Sequence, residues 1–190
     1  MIRENRTIVV GCGILLMALQ GFGQEPEELI ENGGFEGIVP YVVNEIHKEV
    51  FRDVKEIPKG WTMNVAYPGK LTVIYDAETA HGGSKFIRLE QSMPPGVGFY
   101  HLDRKAVLPG EKYSISIWVK GKGQFILRAY SYDDKVSLGT IGDRIVDVAS
   151  EEWVKYTTSF TISESVKYIC PAFHATGIVD IDDTSFTKQQ

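Results

Sequence analysis

Apolar and polar residues alternate along much of the chain, most clearly between Val107 and Asp133. Tyr113, Ile115, Ile117 and Val119 recur at every second position, Gly121-Lys122-Gly123 interrupts them, and alternation resumes from Gln124 to Tyr132. Period two bounded by Gly and Pro predicts two β-strands, each with one buried face. With Phe125, Leu127 and Ala129 inward, Ile126, Arg128, Tyr130 and Tyr132 share the opposite face. A guanidinium beside phenol rings suits a flat, polar ligand. The same residues also suit an ordinary exposed strand, where Tyr is common.

The pattern predicts further strands over 62–66, 71–75, 85–91, 97–104, 111–120, 124–132, 144–148, 153–162, 166–174 and 178–187, with a short one at Leu29-Ile30. Their links carry turn residues, as in Tyr67-Pro68-Gly69, His81-Gly82-Gly83-Ser84 and Pro94-Pro95-Gly96. Many short strands with no helical periodicity beyond the N-terminal segment predict an all-β fold, a two-sheet antiparallel sandwich or a barrel. The stretch 38–58 breaks the rhythm. Its Val42, Val43, Ile46, Val50, Val54 and Ile57 are mixed with charged residues, compatible with a hairpin across the sheet or a short helix, and the β-branched content favours the hairpin.

Residues 1–23 form a different pattern. Arg3 and Arg6 precede an apolar run from Ile8 to Leu19, and Gly21-Phe22-Gly23 supplies small residues two apart, as in a secretory signal peptide cleaved after Gly23. The run is short for a membrane span. It also continues past Cys12, whereas a lipid-modified Cys should follow it. After cleavage only Cys170 remains, so an internal disulfide is impossible and Cys170 reads as a small buried apolar residue. Residues 24–190 are then one secreted domain, periplasmic or extracellular, with 38–58 as an insertion. The net charge of −5 over 190 residues shows no basic stripe, which argues against nucleic acid and anionic membranes as partners.

Several short motifs now fall in order. They are Asn32-Gly33-Gly34-Phe35-Glu36, Gly60-Trp61, Ala80-His81-Gly82-Gly83-Ser84-Lys85, Leu108-Pro109-Gly110-Glu111-Lys112-Tyr113 followed by Trp118-Val119-Lys120, Glu152-Trp153-Val154-Lys155-Tyr156 and Ile181-Asp182-Asp183-Thr184-Ser185-Phe186. In order and spacing the chain resembles the carbohydrate-binding modules of the cellulase-associated family 4/9/22 type, a galactose-binding-like jelly roll, from Leu29 to the C-terminus apart from the insertion. The resemblance implies two antiparallel sheets. One would hold Leu29-Ile30, 85–91, 111–120, 153–162 and 178–187. The other would hold 62–66, 97–104, 124–132 and 166–174, and its outer, concave face is the sugar-binding one in the family.

That resemblance turns the Arg128–Tyr132 face into a candidate platform. Sugar recognition needs flat apolar surfaces for ring C–H faces and planar polar groups for hydroxyls. The candidates are Arg128, Tyr130, Tyr132 and Tyr100, then His101, Tyr67 and His174, although strand parity forbids Tyr100 and His101 from facing the same side. Trp61 reads as structural, Trp153 as core or rim, and Trp118 leaves the core and should pack under the insertion. The resemblance also implies a structural Ca²⁺ held by Glu36 with Asp182 or Asp183 and backbone carbonyls, clamping the chain ends. Motifs for nucleophilic, zinc or phosphate chemistry are absent, and the four histidines show no ligand spacing. The expected function is non-catalytic binding of a poly- or oligosaccharide, with affinity on the order of micromolar to millimolar because an open groove buries little. The alternatives are a structural or adhesive surface sandwich and a small glycan-active hydrolase or lyase.

Overall fold

The computed structural model describes residues 27–42, 49, 51–94 and 96–189. The expected signal segment, Cys12 and residues 43–48 and 50 of the insertion lie outside the described residues. The elements are strands: β1 (Ile38–Pro40), β2 (Glu56–Pro58), β3 (Trp61–Met63), β4 (Lys70–Tyr75), β5 (Lys85–Gln91), β6 (Val97–His101), β7 (Lys105–Ala106), β8 (Lys112–Tyr132), β9 (Ser137–Thr161) and β10 (Tyr168–Gln189). Each of β8, β9 and β10 joins two of the shorter strands expected from the pattern, because their ladders run on through the interruptions. Leu29-Ile30 is reduced to a single bridge between Glu28 and Thr187.

All pairings are antiparallel. Along the main sheet the order is β3-β6-β10-β5-β4, with β8 on the other side of β10 and β9 beyond it. β6 pairs with 172–175 of β10 and β5 with 177–181, so the sheet divides into two halves at that level. These halves group the strand segments as the two expected sheets do. They fold face to face: Thr158 Oγ1 donates to Gly142 O at 2.6 Å although both lie on β9, 16 residues apart. In a straight strand those residues would be about 50 Å apart.

The fold line crosses β8 at Gly121-Lys122-Gly123 and β10 at Gly177. A Cβ on Gly123 would sit 1.9 Å from Thr176 O, and its φ of 154° is one that L side chains rarely adopt. The interruption read as a chain break is therefore a corner in a continuous strand. Odd-numbered β8 residues face inward on both sides of it, so Ile115, Ile117, Val119, Phe125, Leu127 and Ala129 all enter one core. The largest ring cluster stacks Trp61 on Phe99 at 4.9 Å and on Phe173 at 5.5 Å, with Phe35 edge-on at 5.3 Å.

The Asn32–Glu36 motif explains how Phe35 arrives there. Asn32 and Phe35 both take φ of 56°, folding the chain into a tight turn. Asn32 holds that turn by donating from Nδ2 to the carbonyls of Gly37 and Lys59 while its Oδ1 accepts the Gly37 N–H. Trp61 Nε1 in turn donates to Asn32 O.

The insertion enters and leaves as a hairpin, β1 against β2, as its β-branched content suggested. Its Phe51, Val54 and Ile57 are buried in the common core, and β2 packs beside β3 and β4. Tyr75 donates to Glu56 at 2.9 Å. The described part of the insertion thus fills the mouth between the outermost strands of the two halves. Trp118 does leave the core, but among the described residues it does not pack under the insertion. It stacks on His81 at 3.8 Å, because the 76–84 loop reaches over its face. Trp153 sits on that same outer face, edge-on to Phe86, with Nε1 donating to Thr79 O.

Candidate functional site

Alternation along β8 places Arg128, Tyr130 and Tyr132 on the outer face of the half that contains β3 and β6. Register then fixes their neighbours. Arg128 lies opposite Ala172, Tyr130 opposite Cys170, and Tyr100 of β6 flanks Ala172 on its other side. Small buried residues thus form a floor between rows of larger ones, and Cys170 is buried as expected. Tyr100 and Tyr130 meet edge to face at 5.4 Å.

A β-bulge supplies the partner for Arg128. Leu127 pairs with Arg144 and Ala129 with Ile141, so Gly142 and Asp143 both face the single residue Arg128. Gly142 absorbs the bulge with φ of 69°. Asp143 reaches Arg128 Nη2 at 2.9 Å, and the Arg128 side chain is 16% exposed. Arg128 Nε is buried with no acceptor among the described residues.

Tyr130 is held from two sides. Asn64 Nδ2 donates to its hydroxyl at 2.8 Å, and the hydroxyl lies 2.8 Å from His174 Nε2. With Asn64 donating, the phenol proton is free to go to His174 when the ring's Nε2 is unprotonated. Burial and the nearby Arg128 charge push the His174 pKa down to about 4, against a small opposing pull from Asp143. Burial likewise pushes the Tyr130 phenol up to about 12, so it stays protonated. Tyr67 packs edge-on to His174 at 4.6 Å, carried there by a turn in which Tyr67 N bonds Asn64 O.

Two of the expected residues are placed differently. His101 does not join this face. Its parity is that of Phe99, so it is buried inward, edge-on to Trp61 at 5.0 Å. Tyr132 has the right parity but is only 9% exposed, since the Arg104 guanidinium lies 3.6 Å over its ring. Tyr67, Tyr100, Arg128, Tyr130 and His174 are brought together. Asn64, Arg104 and Asp143 were not foreseen. Only the Gly142-Asp143 pair left a sequence signal, as a bulge-prone Gly beside a carboxylate just before the expected 144–148 strand.

Glu36, Asp182 and Asp183 gather elsewhere, around the 81–85 loop. Glu36 accepts from Ser84 N, Ser84 Oγ, Lys85 N and Lys85 Nζ at 2.7–2.9 Å. Burial works against its charge, but these donors outweigh it and hold its pKa at about 2. A second bulge, between Asp182 and Ser185, turns Asp183 outward to His81 Nδ1 at 2.6 Å. Asp182 is 0% exposed and accepts the backbone N–H groups of His81, Gly82 and Asp183. Burial raises its pKa to about 6, with Asp183 adding to the shift. Among the described residues, no three His, Cys, Asp or Glu side chains converge as a metal site. A hard cation here would therefore need backbone carbonyls to complete its shell.

The profile of a family described as carbohydrate binding domain, the 4/9 type, matches residues 27–180. The chain belongs to this family. No curated protein matches its sequence. Among solved structures, the xylan-binding domain of Paenibacillus barcinonensis Xyn10C is similar at 16% identity and a TM-score of 0.52, over 68% of this chain and 86% of that one. The Clostridium thermocellum xylanase 10B modules, solved with xylohexaose, give 18% identity and a TM-score of 0.52 over 69% of this chain. Bacteriophage CBA120 tailspike protein 4 gives 13% identity and a TM-score of 0.58 over 85% of this chain. This chain spans 26% of the xylanase chain and 21% of the tailspike chain. At these identities the likeness shows a shared jelly-roll fold.

The carbohydrate-binding domain thus has the expected all-β sandwich, and its ligand class is carbohydrate. Its outer-face network carries a testable pH dependence. His174 has a folded pKa near 4 and an unfolded value of about 6.5. A depressed folded value contributes stability that is complete above about pH 6.5 and lost as pH falls toward 4, at most about 3 kcal/mol. Chemical denaturation of wild type and His174→Gln across that window should show wild type losing the larger amount. Parallel curves would contradict a neutral His174 bonded to Tyr130.

Proposed function

We propose that the carbohydrate-binding domain takes a glycan on the outer face of the β3–β6–β10–β8 half, over Tyr100, Arg128 and Tyr130, with Tyr67 and His174 at one margin. The supporting observation is that two partly exposed phenol rings and a guanidinium share one face. Asn64, His174 and Asp143 hold them in place. Rings pack on sugar C–H faces, and the guanidinium and the Tyr100 phenol bond hydroxyls. Pre-positioned side chains lose little freedom on binding, which offsets part of the small area that an open site buries. Binding is non-catalytic in this reading: Asp143 is committed to Arg128 and His174 to Tyr130. Because the neighbouring xylanase modules were solved with xylohexaose, xylan is the first ligand to try. Affinity gels containing xylan, galactan, β-glucan and mannan should retard the protein on at least one polysaccharide, with no reducing ends released. Uniform mobility would favour the structural sandwich, and released ends would favour an enzyme.

The Arg-flanked apolar run of residues 1–23 supports export, with the mature chain beginning at Gln24. Calcium remains part of this reading. Glu36, Asp182 and Asp183, with neighbouring backbone carbonyls, are the candidate ligands, and Thr184 Oγ1 beside the Asp pair, buried with no partner among the described residues, is a further hard oxygen. All three carboxylates accept protein hydrogen bonds here, Glu36 from Ser84 and Lys85 and the Asp pair from the 81–83 loop and from Asp183 N, so a cation would have to displace some of these donors. Chelation with EDTA should lower the melting temperature and added calcium should restore it. An unchanged melting temperature would overturn the calcium assignment.

A further inference from the structure

The outside of the fold line carries a surface that the face above does not use. One groove of about 500 Å³ is lined by Arg88, Gly121, Lys122, Ser150, Ile178 and Asp180, among others. A second, of about 510 Å³, shares Ile178 and continues over Lys70, Glu90 and Gln91. Together they form one furrow that crosses β9, β8, β10, β5 and β4 in order. Four interstrand spacings of about 4.8 Å give it a length of about 19 Å. The corner glycines explain the depression. At Gly121 and Gly177 there is no side chain, and the backbones of β8 and β10 close up so tightly that a Cβ on Gly177 would lie 2.3 Å from Lys122 O.

The furrow wall is built. Asp180, 4% exposed, holds Arg88 through Nε at 2.7 Å and Nη2 at 2.8 Å. This fixes the guanidinium plane, and Nη1 meets no acceptor among the described residues. Lys70 pairs with Glu90 at 2.7 Å further along. Lys122 and Glu151 stand on the other side, so the charges alternate and balance. In the middle Ile178 is 52% exposed, the one large apolar side chain in the lining, with the small Ala149 and the bare glycines beside it. Balanced charge disfavours a polyanion or polycation. A long shallow trough with fixed polar groups and one central apolar contact fits an extended, uncharged, polyhydroxylated chain.

We propose that this furrow is a second saccharide-binding surface, taking a neutral glycan strand laid across the five strands. Resting on the carbohydrate-binding reading, it makes the domain bivalent, able to join two glycan chains. The test is an amide-resolved NMR titration of the full chain with xylohexaose and, in turn, with oligosaccharides of galactan, β-glucan and mannan, on wild type, Arg128→Ala and the double variant Lys122→Ala/Ile178→Asp. Both furrow positions are solvent-facing, and an unchanged spectrum elsewhere confirms that the fold is kept. The expected result is two sets of shifting amides. The set around 121–123, 149–151 and 177–180 persists in Arg128→Ala and disappears in the double variant. The set around Tyr100 and Tyr130 does the reverse. Shifts confined to the Tyr100–Tyr130 face in wild type would overturn the furrow and leave that face standing. Shifts confined to the furrow would overturn that face and leave the furrow standing. No shifts at either place with any of the four would overturn both.

Discussion

Replacing Trp61 with alanine is expected to lower stability by about 3–5 kcal/mol, the range for deleting a large buried ring. The loss goes beyond the area of one side chain. Trp61 stacks on Phe99 from β6 and Phe173 from β10 and meets Phe35 from the N-terminal turn, so its removal opens a cavity bounded by three separate segments. It also removes the donor that binds Asn32 O. Because Phe35 is held in the core partly by this ring, the 32–36 turn should loosen together with β3. Urea unfolding followed by circular dichroism reads the change. A loss under about 1 kcal/mol would mean that the rings are not mutually supporting, since even modest core truncations cost about that much.

Arg128→Ala should abolish most glycan binding at the Tyr100–Tyr130 face, a drop of roughly tenfold or more if one charge-assisted hydrogen bond to a hydroxyl is worth about 1.5–3 kcal/mol. Tyr130→Phe should weaken binding less. Its ring stays, but Asn64 and His174 lose the hydroxyl between them. The pair separates two roles: the guanidinium contacts ligand, whereas the phenol hydroxyl mainly fixes the surface. Isothermal titration of wild type and both variants with the polysaccharide selected by affinity gel gives the comparison. The variants' thermal unfolding shows whether a loss of binding is a loss of fold. Equal affinity in wild type and Arg128→Ala would remove Arg128 from the site.

Much of the architecture was legible in the sequence because period-two alternation reports one buried face directly. The β8 residues show this: Phe125, Leu127 and Ala129 face inward, and Arg128 and Tyr130 face outward, as alternation requires. The 85–91 strand also has the bounds expected. The errors arise where a local rule has a second outcome. Gly121-Lys122-Gly123 signals an interruption, and local sequence cannot distinguish a turn that ends a strand from a corner that bends one. The difference lies in the partner strand, where Gly177 leaves room for the bend. Bulges are a second source. The one after Asp182 shifts parity, so Val179 and Ile181 face the core but so does Phe186, an odd-to-even change that no single alternating run would show.

Tertiary neighbours were harder still. Trp118 has the expected direction, yet its covering residue His81 is far away in sequence and belongs to a loop rather than to the insertion. Tyr132 has the expected parity but lies beneath Arg104, which comes from the turn after β6. Asn64 and Asp143, which fix Tyr130 and Arg128, reach them across strand pairings that alternation does not reveal. The platform residues were therefore visible one strand at a time, whereas the contacts that hold them were not.

The most direct measurement is a crystal structure of the domain with the bound oligosaccharide of its preferred polysaccharide. The account predicts a sugar ring packed on Tyr100 and Tyr130, with a hydroxyl bonded to Arg128 and Asp143 still paired to the guanidinium. A saccharide ordered elsewhere, with the Tyr100–Arg128–Tyr130 face bare and accessible to solvent in the lattice, would contradict it.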